Sequence, residues 1–326
     1  MFRIKERMET NNLITVVVPV HNRADIVLRT LDSIYNQTYR PIDLIIVDNA
    51  STDSTLEKIT EWSKSRQKGD FNVEILQCEE AGAACARNFG LEHVRTPWVM
   101  FFDSDDEMRP EHIAKVTREV NEHPDCQLIY FDATVMDTDG WSHPMSINDT
   151  NMMRAHLFHC ILSTQRMAIR TELAKSVGGW NKACAIWDDM ELGVRLLLST
   201  DKVRKLHGDP MVVIHPSGDE SLTGDNYQTR AGKFEKTLDI IDEHFTQPQF
   251  HLEQMWVESR RMILAAMYAR EGKKTLATAL RKQILDRHAW SDAMKLRAVY
   301  TTQRLLGHGG SATAEYFFKK PKAKAK

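Results

Sequence analysis

Residues 13–23 read LITVVVPVHNR, a β-branched, continuously apolar run that stops on three polar side chains. Apolar runs without alternation belong to strands buried on both faces, as in a parallel sheet covered by helices. The period then changes, and Ile26, Leu28, Leu31 and Ile34 recur at roughly helical spacing. A second apolar run, at 42–47, ends on Asp48. Thr52 and Asp53 are placed to cap a helix to about residue 65. Residues 71–76 then read as a strand, 83–94 as a helix and 98–102 as a fourth strand. This alternation predicts βαβ units with right-handed crossovers, hence an α/β fold with a mostly parallel sheet flanked by helices. His21-Asn22-Arg23, Asp48-Asn49 and Asp103-Ser104-Asp105 all fall at carboxyl ends of predicted strands, where open α/β sheets bind ligands.

Further along, the pattern predicts a helix after Pro110, a strand over 127–135, a turn at Gly140 and a strand over 165–170. Gly178-Gly179-Trp180 breaks the pattern before a helix starting near Trp187-Asp188-Asp189, and residues 211–214 form a short strand ending at His215. Beyond Asn226, Phe234, Leu238, Ile241 and Phe245 share a helix face, followed by amphipathic segments at 252–270, 274–288 and 290–306. The expected organisation is an N-terminal lead at 1–12, an α/β domain at 13–225, a C-terminal helical extension at 226–315 and a disordered basic tail at 316–326, YFFKKPKAKAK.

A chain of 326 residues with 42% hydrophobic content supports a sizeable core. Its 43 basic and 45 acidic residues give a net charge of -2, which argues against nucleic acid as a partner. Five cysteines, at 78, 85, 126, 160 and 184, show no close CxxC pairing, so neither a disulfide framework nor a zinc-cysteine site is expected. That usage suits a reducing cytoplasm. The charged start leads to no signal-peptide run, and no stretch approaches eighteen apolar residues, so a soluble or peripheral protein is expected.

Asp103, Asp105 and Asp106 follow an apolar run, and acids crowded at a strand end repel unless a cation or proton intervenes. Carboxylate oxygens suit hard divalent ions such as Mg2+ or Mn2+, which commonly bridge nucleotide phosphates. Taken alone, the cluster reads equally well as an acidic turn before the next helix.

Four motifs in order, VVVPVHNR at 16–23, IIVDNASTDST at 45–55, EAGAACARNFG at 80–90 and FFDSDD at 101–106, change that balance. The set resembles the inverting glycosyltransferases of family 2, whose catalytic domain has the nucleotide-binding GT-A fold, a Rossmann-like arrangement. The resemblance covers about residues 13–222 and leaves the helical extension uncovered. It implies that Asp48 hydrogen-bonds the nucleotide base. A carboxylate accepts, so it suits the N3–H of uracil or thymine and faces the bare N3 of cytosine badly. The resemblance also implies that Pro19, Val20, Asn22 and Arg23 line the nucleotide with Arg87 nearby, that Asp103 serves ribose and metal, and that Asp105 coordinates the metal directly. The bland alternatives are a turn-forming Asp48 and an Arg87 on a helix surface.

A second constellation, Gly178-Gly179-Trp180 followed by Trp187-Asp188-Asp189-Met190-Glu191 and Arg195, matches the place where the family sets its general base, normally the second acid of a pair. Here that is Asp189. A weakly nucleophilic hydroxyl needs such a carboxylate to take its proton, and direct attack inverts the anomeric carbon. The alternative is an acidic pair favoured by a helix dipole. Asp188, Trp180 and Trp187 are candidates for acceptor binding, with the tryptophans equally placed as core. His215 matches a third metal or diphosphate ligand in many relatives, against a purely structural histidine. His156, His159 and Cys160 read as packing residues.

The function implied is transfer of a sugar from a nucleotide-sugar, first of all a UDP-sugar, to a hydroxyl of a glycan or lipid-linked acceptor in cell-surface polysaccharide synthesis. The lysine tail is either solubilising or a peripheral contact with the inner face of a membrane. Two readings compete. A haloacid-dehalogenase-like phosphatase also uses a DxD after a strand, but on its first strand, and leaves VPVHNR and VDNASTD unexplained. A transferase-like binding module without activity is opposed by the presence of every metal-site and base candidate.

Overall fold

The computed structural model describes residues 14–146, 151–216 and 230–319. The lead at 1–12, the Ser/Gly/Asp-rich loop after His215 and the last seven residues of the tail lie outside the described residues. The chain separates into two compact units. One holds residues 1–146, 162–180 and 198–217; the other holds 147–161, 181–197 and 218–326.

The first unit carries the alternation read from the sequence. Its elements are β1 (Ile14–Val20), α1 (Val27–Tyr35), β2 (Ile42–Asp48), α2 (Thr55–Arg66), β3 (Phe71–Gln77), α3 (Ala83–His93) and β4 (Trp98–Phe101). After these come β5 (Glu107–Met108), α4 (His112–Glu122), β6 (Leu128–Phe131), β7 (Ala133–Met136) and β8 (Ser142–Met145). It closes with β9 (Met167–Arg170), α6 (Thr171–Ser176), β10 (Val203–Leu206) and β11 (Val212–Ile214). The seven-stranded sheet has the order β10-β6-β9-β4-β1-β2-β3. β4, β1, β2 and β3 run parallel, as do β10 and β6, while β9 is antiparallel to both neighbours.

Because β1 and β2 are sandwiched on both faces, they bury nearly every residue, and the one polar side chain inside β1, Thr15, is satisfied by the Thr96 hydroxyl at 2.7 Å. Gly90 lets α3 lie close on the sheet, since a Cβ there would come within 2.5 Å of Val17. Burial of side chains such as Val16, Val18, Leu44, Ile46 and Met100 in this core stabilises the unit by roughly 1.5–3 kcal/mol per residue.

The predicted strand at 127–135 is in fact two. β6 belongs to the large sheet, whereas β7 joins a second sheet of order β5-β11-β7-β8. The break falls at Asp132, whose carboxylate meets Lys205 at 2.9 Å and Ser146 at 2.6 Å, anchors that let the backbone leave one sheet for the other. β10, β5 and β8 carry no clear apolar run, so no local pattern announces them.

The second unit holds α5 (Met152–His159), α7 (Asp188–Ser199), α8 (Ala231–Glu243), α9 (His251–Arg270), α10 (Lys274–Leu285), α11 (Trp290–Leu306) and α12 (Gly310–Phe317). Leu157, Phe158, Ile186, Met190 and Val194 share one core with Phe234, Leu238, Trp256 and Leu264. The expected boundary at 225/226 therefore does not coincide with the compact units: α5 and α7 pack with the C-terminal helices. Tyr316 and Phe317, expected in a disordered tail, close α12.

Candidate active site

The loops that follow β1 and β2 are laced together by their own side chains. Asn22 and Ala50 adopt left-handed backbone (φ 50° and 53°). The Asn22 amide donates to Ser51 Oγ at 3.0 Å, and its side-chain oxygen accepts from the Thr52 amide at 2.8 Å. The Arg23 amide donates to Thr55 Oγ1 at 2.8 Å, and Asp53 accepts from the amides of Ala24 (3.2 Å) and Thr55 (2.9 Å). The Thr55 hydroxyl hydrogen bond to Asp53 leads the causes that hold this carboxyl below its usual range. Much of IIVDNASTDST thus shapes the rim. Thr52 and Asp53 act there, while α2 starts two residues later than a cap at Thr52 would set it.

Asp48 ends β2 with its side chain buried. Oδ2 accepts from the Ser51 amide at 3.3 Å, and Oδ1 has no hydrogen-bond partner among the described residues. Its neighbour Asn49 is fully committed, donating to the carbonyls of Cys78 and Glu80 and accepting from the Gly82 amide.

At the end of β4, Asp103 receives Arg87 Nη2 at 2.8 Å. Arg87 is buried rather than on the helix surface. Its guanidinium lies 4.4 Å from the Trp180 ring centroid, an arrangement that holds it in one orientation. Trp180 in turn packs edge-on against Phe101 at 5.2 Å. With 2% of its surface exposed, Trp180 has no open face for an acceptor sugar, which corrects that expectation: it is the platform under Arg87. The turn before it explains Gly178-Gly179-Trp180. Gly179 has φ +66°, and a Cβ there would meet Asn88 Oδ1 at 2.4 Å. Asn88 clasps Trp180 from both sides, accepting from its amide at 2.7 Å and donating to its carbonyl at 2.8 Å. ARNFG and GGW are therefore one structural device.

Asp106 is the buried member of the acidic cluster. Burial first, then the charges of Asp103 and Asp105, push its carboxyl well above the usual range. It accepts from Gln165 Nε2 at 2.7 Å and from the His215 amide at 2.9 Å, so it ties the end of β11 to the acidic turn. His215 Nε2 lies 2.9 Å from Glu107 Oε1, and Glu107 also meets Arg29 Nε at 3.1 Å. Arg29 donates as well to the Asp105 carbonyl. Arg29, Glu107 and Gln165 were not singled out from sequence, because nothing local marks residues whose partners lie about 60 to 110 positions away.

The donor set fits a hard divalent cation. It is all carboxylate oxygen apart from one imidazole, and Asp103 and Asp105 crowd Asp106 closely enough to raise its proton affinity, a repulsion that a cation would relieve. The ligand atoms of Asp103, Asp105 and His215 do not converge within 4.8 Å. The group that does so among the described residues is Glu119, Glu122 and His123, on and just after α4.

In the second unit, α7 opens with Asp188 and Asp189, whose carboxylates accept from the amides of Asp189 (3.1 Å) and Met190 (2.8 Å). One turn on, buried Glu191 pairs with Arg195 Nε at 2.7 Å and faces His244 Nε2 at 3.5 Å. Burial opposes its ionisation, but His244, Arg195 and Asn181 outweigh that and lower its pKa. Half-buried Trp187 has φ +56° and packs on Phe234 (4.5 Å) and under Arg260 (4.7 Å). His156 is buried with Nε2 2.9 Å from the Met190 carbonyl, a packing role as expected.

The pattern of Glycosyl transferase family 2 matches residues 15–178, half of the chain and all four motifs. The chain belongs to this family. This family 2 glycosyltransferase is 26% identical over 242 residues to an uncharacterized glycosyltransferase of Haemophilus influenzae, covering 72% of this chain and 78% of the relative. It is 31% identical over 129 residues to the putative teichuronic acid biosynthesis glycosyltransferase TuaG of Bacillus subtilis, covering 39% of this chain and 49% of TuaG. Its fold is that of the GT-A transferases. S. aureus TarS superposes with a TM-score of 0.65 at 16% identity, covering 96% of this chain and 56% of TarS. The Pyrobaculum calidifontis mannosyltransferase PcManGT, solved with GDP-Man and Mn2+, gives 0.56 at 19% identity, covering 94% of this chain and 88% of that one. The matched regions thus cover about half of TuaG and about half of TarS. Among its described residues, no helix is long and apolar enough to cross a membrane.

Proposed function

We propose that this glycosyltransferase takes a hexosyl group from a UDP-sugar and transfers it, with inversion, to a hydroxyl of a glycan or lipid-linked acceptor in polysaccharide synthesis. The observation that carries the donor reading is Asp48 Oδ1, a buried acceptor without a partner at the rim where the loops after β1 and β2 meet. An N–H on a pyrimidine ring satisfies it, and the lone pair of cytosine N3 does not. Guanine also presents N–H groups, so the donor panel must contain GDP-sugars.

Pro19, Val20, Asn22 and Arg23 line the nucleotide in this reading. The Arg87–Asp103 pair stands at ribose and diphosphate, and Asp103, Asp105 and His215 are the residues that would hold Mn2+ or Mg2+. A divalent cation there supplies neutralisation of the charge that builds on the departing diphosphate. His215 is held by the hydrogen bond that its backbone N–H donates to Asp106, and its imidazole must exchange Glu107 for the new partner. Asp189 removes the acceptor's proton, with Asp188 and Trp187 at the acceptor. Buried Glu191, one turn along, faces His244 at the end of α8 at 3.5 Å, which ties α7 to that helix beneath the two acids. Relatives named for teichuronic and teichoic acid synthesis support an anionic cell-surface polymer as the product class.

The test is release of UDP from a panel of UDP- and GDP-sugars with Mn2+, with Mg2+ and with chelator. Turnover is expected with a UDP-sugar and metal, and Asp189→Asn should lower it about 100- to 10,000-fold while UDP binding by calorimetry survives. Turnover that persists in Asp189→Asn, or depends only on GDP-sugars, overturns the corresponding assignment.

A further inference from the structure

We infer that the end of the α11–α12 hairpin is a docking face for an anionic membrane surface. The observation is a group of large apolar side chains that the fold leaves in water. Trp290 is 78% exposed and Tyr316 67%, with Met294 and Phe317 also exposed. They gather at one end of the hairpin. α12 runs back along α11, so that Gly310 bonds to Gln303, while Lys295 lies over the Phe318 ring at 5.4 Å. Trp290 and Met294 sit on the first turns of α11, four residues apart, at that same end.

Two features distinguish this face from scattered surface apolar residues. The end of α12 is pinned: Phe318 is buried, and its carbonyl accepts from Trp256 Nε1 at 2.9 Å, so Tyr316 and Phe317 are held outward on a fixed helix. The end of α12 is basic. Exposed Lys319 has its Nζ 4.5 Å from the Tyr316 ring, and the sequence that follows, outside the described residues, carries Lys320, Lys322, Lys324 and Lys326. The nearby acids are engaged, Asp292 with Lys295 at 2.8 Å and Glu315 with His159 at 3.6 Å. Aromatic rings that lodge at headgroup depth beside lysines that meet lipid phosphates are the side-chain set of an interfacial membrane contact. Each lysine near such a surface multiplies affinity about five-fold, and the aromatics add an apolar term that salt does not screen. The inference is independent of the donor and base assignments.

The experiment is co-sedimentation of the full chain with POPC vesicles and with vesicles of 30% POPG in POPC, without donor sugar. Binding is expected only to the POPG vesicles. It should weaken at least ten-fold in Lys319→Gln/Lys320→Gln, and likewise in Trp290→Ala/Tyr316→Ala/Phe317→Ala. Trp290, Tyr316, Phe317 and Lys319 are exposed and Lys320 lies outside the described residues, so thermal melting of both variants should match the parent. Equal binding to POPC, no binding to either vesicle, or loss with the lysine variant alone overturns the proposal. The last result would mean charge attraction without an interfacial face. Retention on an anionic glycan with none on vesicles would assign the face to a polymer instead.

Discussion

A buried carboxylate oxygen without a donor costs about 1–3 kcal/mol, and a fold keeps such an atom where a ligand supplies the missing hydrogen bond. Asp48 Oδ1 is such an atom at the rim of the strand ends, while Oδ2 already holds the Ser51 amide. Asp48→Asn keeps the second bond and turns an amide donor toward the base. UDP affinity by calorimetry is therefore expected to fall about 10- to 100-fold, with melting close to the parent; unchanged affinity would remove Asp48 from the base site. His112 is a different kind of buried group. Neither ring nitrogen has a partner among the described residues, and the ring packs against Phe131 at 4.4 Å. Burial, with Lys115 second, lowers its pKa to about 3 from 6.5. It stays neutral in the folded protein while the unfolded chain takes up a proton near pH 6.5. The stability it contributes is whole above that pH and is lost as pH falls toward 3, by up to about 1.4 kcal/mol per pH unit. His112→Leu should melt with a shallower decline than the parent between pH 7 and pH 5. Identical declines would show that His112 is protonated in the fold.

Among elements, the turn at 178–180 was legible as a break and illegible as a device. Gly178 and Gly179 both have positive φ, yet a Cβ on Gly178 meets nothing within 4 Å, while one on Gly179 runs into Asn88. Gly178→Ala should cost about 1 kcal/mol in chemical denaturation and Gly179→Ala roughly 2–3 kcal/mol, because the second also breaks the clasp on Trp180. Equal losses would mean that backbone strain alone matters. The strand at 127–135 was misread for a related reason. Apolar content runs through it with Asp132 as its one charged residue, and the partners of Asp132, Lys205 and Ser146, lie outside that segment. β1 to β4 were readable because a strand buried on both faces must be apolar throughout. β5 and β8 are two and four residues long, too short to show a period.

For the whole molecule, the helices after residue 230 are not an appendage to a self-sufficient first domain. Leu157, Phe158, Ile186, Met190 and Val194 have Phe234, Leu238 and Ile241 as core partners, and the Thr237 hydroxyl donates to the Ile186 carbonyl at 2.7 Å. A chain cut at residue 225 leaves α5 and α7 with that apolar surface in water. It is expected to aggregate or to bind a hydrophobic dye, and to lose any activity that depends on Asp189. A soluble, cooperatively melting fragment 1–225 would show that α7 folds without the later helices.

The α/β alternation, the rim at the strand ends, the four ordered motifs and the amphipathic helices at the carboxyl end are all readable along the chain. Each is written in periodicity or in contiguous residues, which local sterics and burial translate directly into structure. Folding in three dimensions was needed to show that α7 packs with the C-terminal helices, that Trp180 is a buried platform for Arg87, and that Asp106 joins Gln165 to His215. It alone decided that α12 presents Tyr316 and Phe317 outward. These depend on contacts between residues tens of positions apart, where side-chain shape and charge are satisfied by partners that no local pattern announces.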